Sequence, residues 1–193
     1  MSLRAVKIGG LAGVLAGVLF LVVVVIDQVA PVGVVYDSPN EYVHSAVSMV
    51  AFLAVVAAVV GVWALKSRTG QLRRLTTVAA LLTGLGYGFV ALLNAVNLIQ
   101  GERTLNMVRL GAALVMLIGS VILGVIVLVT HLLPWWCGVL MIIAFPLGHF
   151  ANALFPSAEN ILYVLLWGSV GLALLARAKA PAEPPIRHPA QVS

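Results

Sequence analysis

Five stretches of 19 or more residues in this chain carry no charged side chain: 8–26, 43–65, 75–99, 110–130 and 132–155. A sixth, 161–176, is shorter. About 20 apolar residues in helical form are needed to cross the ~30 Å hydrocarbon layer of a bilayer, so runs of this length specify the solvent before they specify a fold. Composition agrees: 62% of the 193 residues are hydrophobic and 9% are charged, where a soluble domain carries roughly 25% charge. The expected fold class is an all-α integral membrane protein, a six-transmembrane-helix bundle occupying residues 1–179, with a proline-rich disordered tail over 180–193. The spans are expected near 8–29, 39–66, 75–100, 105–130, 134–155 and 158–177. Five spans is the alternative count. The first run follows Arg4 and Lys7 in the manner of a signal peptide, but no small-x-small cleavage site precedes Pro31, so it is read as an uncleaved helix.

Lysine and arginine beside helix ends favour the cytoplasmic face. Six spans put Arg4, Lys7, Lys66, Arg68, Arg73, Arg74, Arg177, Lys179 and Arg187 on one side, nine of the eleven basic residues, and leave Arg103 and Arg109 on the other. Both termini are therefore expected in the cytoplasm, and the expected location is a bacterial cytoplasmic (plasma) membrane. The formal charge of +5 is scattered over short segments, which reads as orientation signal and contact with membrane lipid; no nucleic-acid partner is expected. Ser38, Pro39 and Glu41 form a capping-box start for the second helix, with the serine hydroxyl accepting from the third helical amide and the glutamate reaching back.

Gly9, Gly13 and Gly17 in the first helix, and Gly84 and Gly88 in the third, have the spacing that lets membrane helices approach closely. They are expected to pack inside the chain's own bundle, with a homo-oligomer interface as the alternative. No internal repeat relates the two halves. Cys137 is the sole cysteine, so no internal disulfide and no cysteine-pair metal site exists.

The polar residues are unevenly distributed. His44 lies six residues after Ser38, Asn94 six before Gln100 and His149 six before Phe155, so each sits about 9 Å inside the outer end of its helix at 1.5 Å per residue. Asn97 and Asn152 lie one turn from Asn94 and His149, Asp27 and Gln28 close the first helix at that end, Arg109 opens the fourth, and Ser45 and Ser48 flank His44. The inner half offers Thr76, Thr77, Thr83, Ser120 and Ser169, which can bond to their own backbone carbonyls. Because polar groups facing lipid are costly, the outer set is expected to converge on an extracytoplasmic polar pocket, loosened on one wall by Pro146. The candidate ligand-binding residues are Asp27, His44, Ser48, Asn94, Asn97, Arg109, His149 and Asn152. The plainer reading of the same residues is hydrogen bonding from helix to helix.

Four functions are compatible with this pattern. The first is a small-ligand or lipid-binding, transport-related or accessory protein; the lack of ionisable residues near the bilayer midplane argues against ion-coupled transport. A bis-histidine haem or metal protein using His44 and His149 is the second, though no cofactor is predicted in the main reading. An intramembrane enzyme with His44 or His149 as base is the third, and nothing resembling a nucleophile motif supports it. The last is a non-catalytic subunit or scaffold bound to a partner membrane protein.

The glycine-rich first helix, "DSPNEYVHSA" at the second and "LPWWCGVLMI" entering the fifth resemble small uncharacterised multipass membrane families of bacteria, particularly actinobacteria, in which an LP-x-W-x-G-x-L step recurs. Here the step reads Leu133, Pro134, Trp135, Trp136, Cys137, Gly138, with tryptophan at both candidate positions. The resemblance implies a topology and no activity or site residues.

Overall fold

The structure, a computed structural model, describes residues 3–29, 36–66, 72–101, 106–152, 154–155 and 157–179. Six helices occupy nearly all of them: α1 (Leu3–Val29), α2 (Pro39–Lys66), α3 (Arg73–Gln100), α4 (Asn106–Thr130), α5 (Trp135–Asn152) and α6 (Ala158–Lys179). All six are long and apolar enough to cross a membrane. The expected disordered tail lies outside the described residues, as do Arg68, Arg103, Arg187 and His188.

The helix ends follow local chemistry. At α2 the glutamate half of the capping box forms, Ser38 N donating to Glu41 Oε2 at 2.6 Å. The serine half does not form as expected: the Ser38 hydroxyl donates to the same carboxylate at 2.9 Å, and the Glu41 amide goes to the Ser38 carbonyl at 3.3 Å. A carboxylate is the stronger acceptor, so it takes both of serine's protons. Helix α3 closes on Gly101 in the left-handed region (φ 69°), whose amide reaches the Asn97 carbonyl at 2.9 Å, a conformation glycine adopts without steric cost. Helix α5 stops at Asn152, three residues short of expectation. Phe155 precedes Pro156, which disfavours helical backbone there, and the amides of Leu154 and Phe155 turn back onto the Ala151 carbonyl at 2.9 and 2.7 Å. Pro146 does not interrupt α5, which runs through it.

The helices pack in chain order around a closed ring, α6 returning to α1, with an additional contact between α2 and α6. Helix α1 thus lies against the seam between α2 and α6. Glycine makes that seam close: a methyl group on Gly13 would fall 2.8 Å from the Gly171 Cα, one on Gly17 3.0 Å from the Gly168 Cα, and one on Gly61 2.8 Å from the Gly9 Cα. The expected use of Gly9, Gly13 and Gly17 is realised within the bundle. Gly84 and Gly88 behave differently, a methyl on Gly84 meeting nothing within 4 Å and one on Gly88 only Val56 Cγ2 at 3.8 Å.

Aromatic rings fill the middle of the bundle. Phe20, Tyr87, Tyr163 and Trp167 are each at most 2% exposed. Phe20 meets Phe52 edge-on with centroids 5.3 Å apart, Tyr163 lies 5.1 Å from Phe20, and Tyr87 meets Trp167 edge-on at 5.4 Å. Such offset and edge-to-face pairs are the arrangements that ring quadrupoles favour. The inner threonines bond as expected, Thr76 to the Leu72 carbonyl, Thr77 to that of Arg73 and Thr83 to that of Ala79, at 2.8–3.0 Å. Ser120 makes no such bond: its buried hydroxyl faces that of Tyr87, as does the indole nitrogen of Trp167.

Candidate functional site

Asp27 occupies the last turn of α1, where the chain leaves hydrophobic helix. Its carboxylate gathers three other groups. His44 Nε2, on the second turn of α2, lies 3.1 Å from Oδ1. On the α6 side, the Ser157 hydroxyl donates to Oδ2 at 2.8 Å and Asn160 Nδ2 donates to it at 3.2 Å. One carboxylate therefore ties together the ends of three helices. The side chains of His44 and Asp27 are only 15% and 18% exposed, so these bonds are shielded from bulk solvent.

The joint borders a cavity of about 510 Å³ to which every helix contributes. Its polar wall includes Asp27, His44, Ser48, Asn94, Arg109 and Asn152, and α6 adds Glu159 and Asn160. Phe52, Val90, Ala113, Met116, Phe145 and Tyr163 supply apolar wall. Phe52 and Tyr163 also belong to the aromatic cluster, so the cavity rests on that cluster. Glu159, at the start of α6, accepts from the Tyr163 hydroxyl at 2.9 Å, one helical turn along.

Across from Asp27, Arg109 Nη2 lies 3.5 Å from Asn94 Oδ1, the long limit of a hydrogen bond. That assignment turns the amide nitrogen of Asn94 the other way, where it is buried without a partner on a residue 3% exposed. A buried donor left unmade costs about 1–3 kcal/mol, which makes it the least satisfied group of the cavity wall.

Two of the eight sequence-expected residues are not on this wall. Asn97 is buried at 2% exposure with its Oδ1 unpartnered, but it does not line the cavity. His149 is exposed, its ring stacked on Phe145 with centroids 6.1 Å apart and planes at 10°. Both corrections have one cause. Residues three apart on an α-helix are separated by about 60° around its axis, so they share a face only loosely. Asn94 and Asn97 are three apart, and so are His149 and Asn152; in each pair one member faces the cavity and the other is turned off it. Sequence reasoning also missed Ser157, Glu159, Asn160 and Tyr163 as site residues, of which Glu159 and Tyr163 stand four apart on one α6 face.

The arrangement offers hydrogen-bonding groups and one carboxylate joint around a cavity. A bis-histidine ligand pair needs two imidazoles facing one another, whereas here His44 turns to Asp27 and His149 to Phe145. No group of three or more His, Cys, Asp or Glu side chains suited to a metal ion occurs among the described residues. Ser157 is bonded to a carboxylate and not to an imidazole, so the order of groups differs from that which activates a serine nucleophile. Cys137, the only thiol, is buried in α5 at the opposite end. No protein-family model, curated protein or solved structure matches the chain.

Proposed function

We propose that the chain is a multi-pass protein of a bacterial cytoplasmic membrane, with both termini in the cytoplasm, and that it binds a small polar or lipid-headgroup ligand in the cavity at the outward end of the bundle. Orientation is supported by the order of the six spans along the chain, which assigns nine of the eleven basic residues to one side. The exposed surface supports insertion: Leu11, Leu85 and Leu172 are each more than half exposed, a distribution suited to hydrocarbon and poorly suited to water.

The observation that carries the binding reading is the cavity of about 510 Å³ itself, walled on its polar side by Asp27, His44, Ser48, Asn94, Arg109 and Asn152 and on its apolar side by Phe52, Met116 and Phe145. Links from helix to helix alone do not need such a space. The polar groups suit a small polar ligand or a headgroup, and Phe52, Met116 and Phe145 would cover its apolar part.

Protein purified in mild detergent provides the test, by native mass spectrometry and ligand-induced thermal shifts. Asn94→Leu removes the amide and occupies cavity volume, so it should lose the species the parent retains. His149→Ala, on the exposed face, should keep it. An Asn94→Leu protein that is more stable than the parent and identical to it in every bound species and thermal response would refute the reading.

A further inference from the structure

A second cavity, of about 580 Å³, lies on the outer face between α2 and α3 and is walled almost entirely by hydrocarbon side chains. Its lining includes Gly84, with nothing within 4 Å of an added methyl, and Gly88, where that methyl would meet only Val56 at 3.8 Å, unlike the tightly packed Gly9, Gly13 and Gly17 of α1. The groove runs from Thr77 to Leu92, about 22 Å at 1.5 Å per residue, which exceeds one leaflet's half of the ~30 Å hydrocarbon layer. A trough this deep and apolar, facing lipid, takes a chain of methylenes.

One end of the groove is different. Thr77 also lines a smaller cavity whose other walls are Arg73, Arg74 and Val78, so the apolar trough opens directly into a basic mouth. The junction is pinned: Trp63 Nε1 donates to Thr77 Oγ1 at 3.0 Å, and Thr77 Oγ1 donates to the Arg73 carbonyl at 2.9 Å. Tryptophan is a residue type enriched at headgroup depth. Both arginines are exposed, and neither guanidinium forms a hydrogen bond or ion pair among the described residues. They occupy the first turn of α3, where the helix macrodipole disfavours cations, so they do not serve the helix itself.

We propose that this groove binds an anionic phospholipid of the leaflet at the basic end of the bundle, one acyl chain lying over Gly84 and Gly88 and the phosphate held by Arg73 and Arg74. A second copy of the chain fits less well. A two-fold axis along the membrane normal would bring two arginine pairs of like charge together at the same depth. The site is separate from the outward cavity, and its test does not depend on any ligand there.

The experiment uses the full chain in lipid nanodiscs of phosphatidylcholine with or without phosphatidylglycerol, with retained lipid counted by native mass spectrometry after transfer to detergent. The parent should retain phosphatidylglycerol over phosphatidylcholine at least tenfold. Arg73→Ala with Arg74→Ala should abolish that preference, whereas Arg4→Ala with Lys7→Ala, which removes the same charge from the same end, should keep it. Gly84→Leu, whose side chain has open space to enter, should lose lipid of both kinds with its thermal midpoint unchanged; Gly88→Ala, with ordinary clearance, should weaken retention partially. Equal losses in the two double variants would reduce the effect to general charge attraction and overturn the proposal. So would a stable dimer cross-linked through Gly84→Cys, which would assign the groove to a second copy.

Discussion

Removal of the Asp27 carboxylate should loosen the joint among α1, α2 and α6. Asp27→Ala deletes the acceptor for His44 Nε2, the Ser157 hydroxyl and Asn160 Nδ2, at 3.1, 2.8 and 3.2 Å. In water-soluble proteins a hydrogen bond to a charged group contributes about 1.5–3 kcal/mol. Two features of this site lower that figure. The carboxylate is 18% exposed beside a cavity from which water can replace it, and interhelical hydrogen bonds in membrane proteins average about 0.6 kcal/mol with a maximum near 1.7. Three such bonds give a loss of about 2 kcal/mol, with the upper limit near 5. Reversible unfolding in bicelles would measure it, and a double-mutant cycle with His44→Ala would isolate the pair. The expected coupling is about 0.6–1.7 kcal/mol. A loss below about 0.5 kcal/mol together with no coupling would mean that the three donors are equally well served by water, and the joint would then not hold the helix ends.

Gly13→Leu should destabilise the bundle by about 3 kcal/mol or prevent its assembly, because even its first carbon would fall 2.8 Å from the Gly171 backbone; Gly84→Leu should change the thermal midpoint little in the same assay. Phe20→Ala, at 1% exposure, should cost about 3–5 kcal/mol by thermal unfolding, as for other large aromatic truncations in cores. Tyr163→Phe should cost about 1 kcal/mol by leaving Glu159 Oε1 without its donor, with no change in the far-ultraviolet spectrum. In a Cys137→Ser background, Ser48→Cys on the cavity wall should react with a small membrane-impermeant thiol reagent, while the parent's buried Cys137 should react only after unfolding.

The six helices were legible because the bilayer imposes a length, and uncharged runs of that length are rare by chance. Their ends were legible where a side chain acts locally, as at Ser38–Glu41, and less so at α5, where Pro156 acts backward on Phe155 and the chain turns before the hydrophobic run is over. Depth could be counted along each helix at 1.5 Å per residue, which put His44, Asn94 and His149 at one expected height. Azimuth could not. The direction a helix face points depends on its neighbours, and a 60° difference decides whether His149 meets His44 or stacks on Phe145 outside. Ser157 escaped notice for a related reason. As a helix-start residue it already had a local role, and only the return of α6 beside α1 reveals its bond to Asp27, 130 positions earlier in the chain.

The aromatic cluster bears on what the cavity does. Tyr87, Tyr163 and Trp167 are at most 2% exposed, and the rings of the cluster lie 5.1 to 6.4 Å apart beneath the cavity. Passage would require several buried rings to change rotamer together in a close-packed interior. The cavity and the cluster together describe a cup with aromatic rings at its base, which is in keeping with the proposed binding from one side. Phe52→Ala tests that directly, since Phe52 meets Phe20, Tyr87 and Tyr163 and forms part of the cavity wall. Truncation should enlarge the cup and alter ligand retention without making proteoliposomes permeable to small polar solutes. Solute leakage through the variant, absent in the parent, would show that a single ring is the barrier and that the cup is the outer half of a pathway.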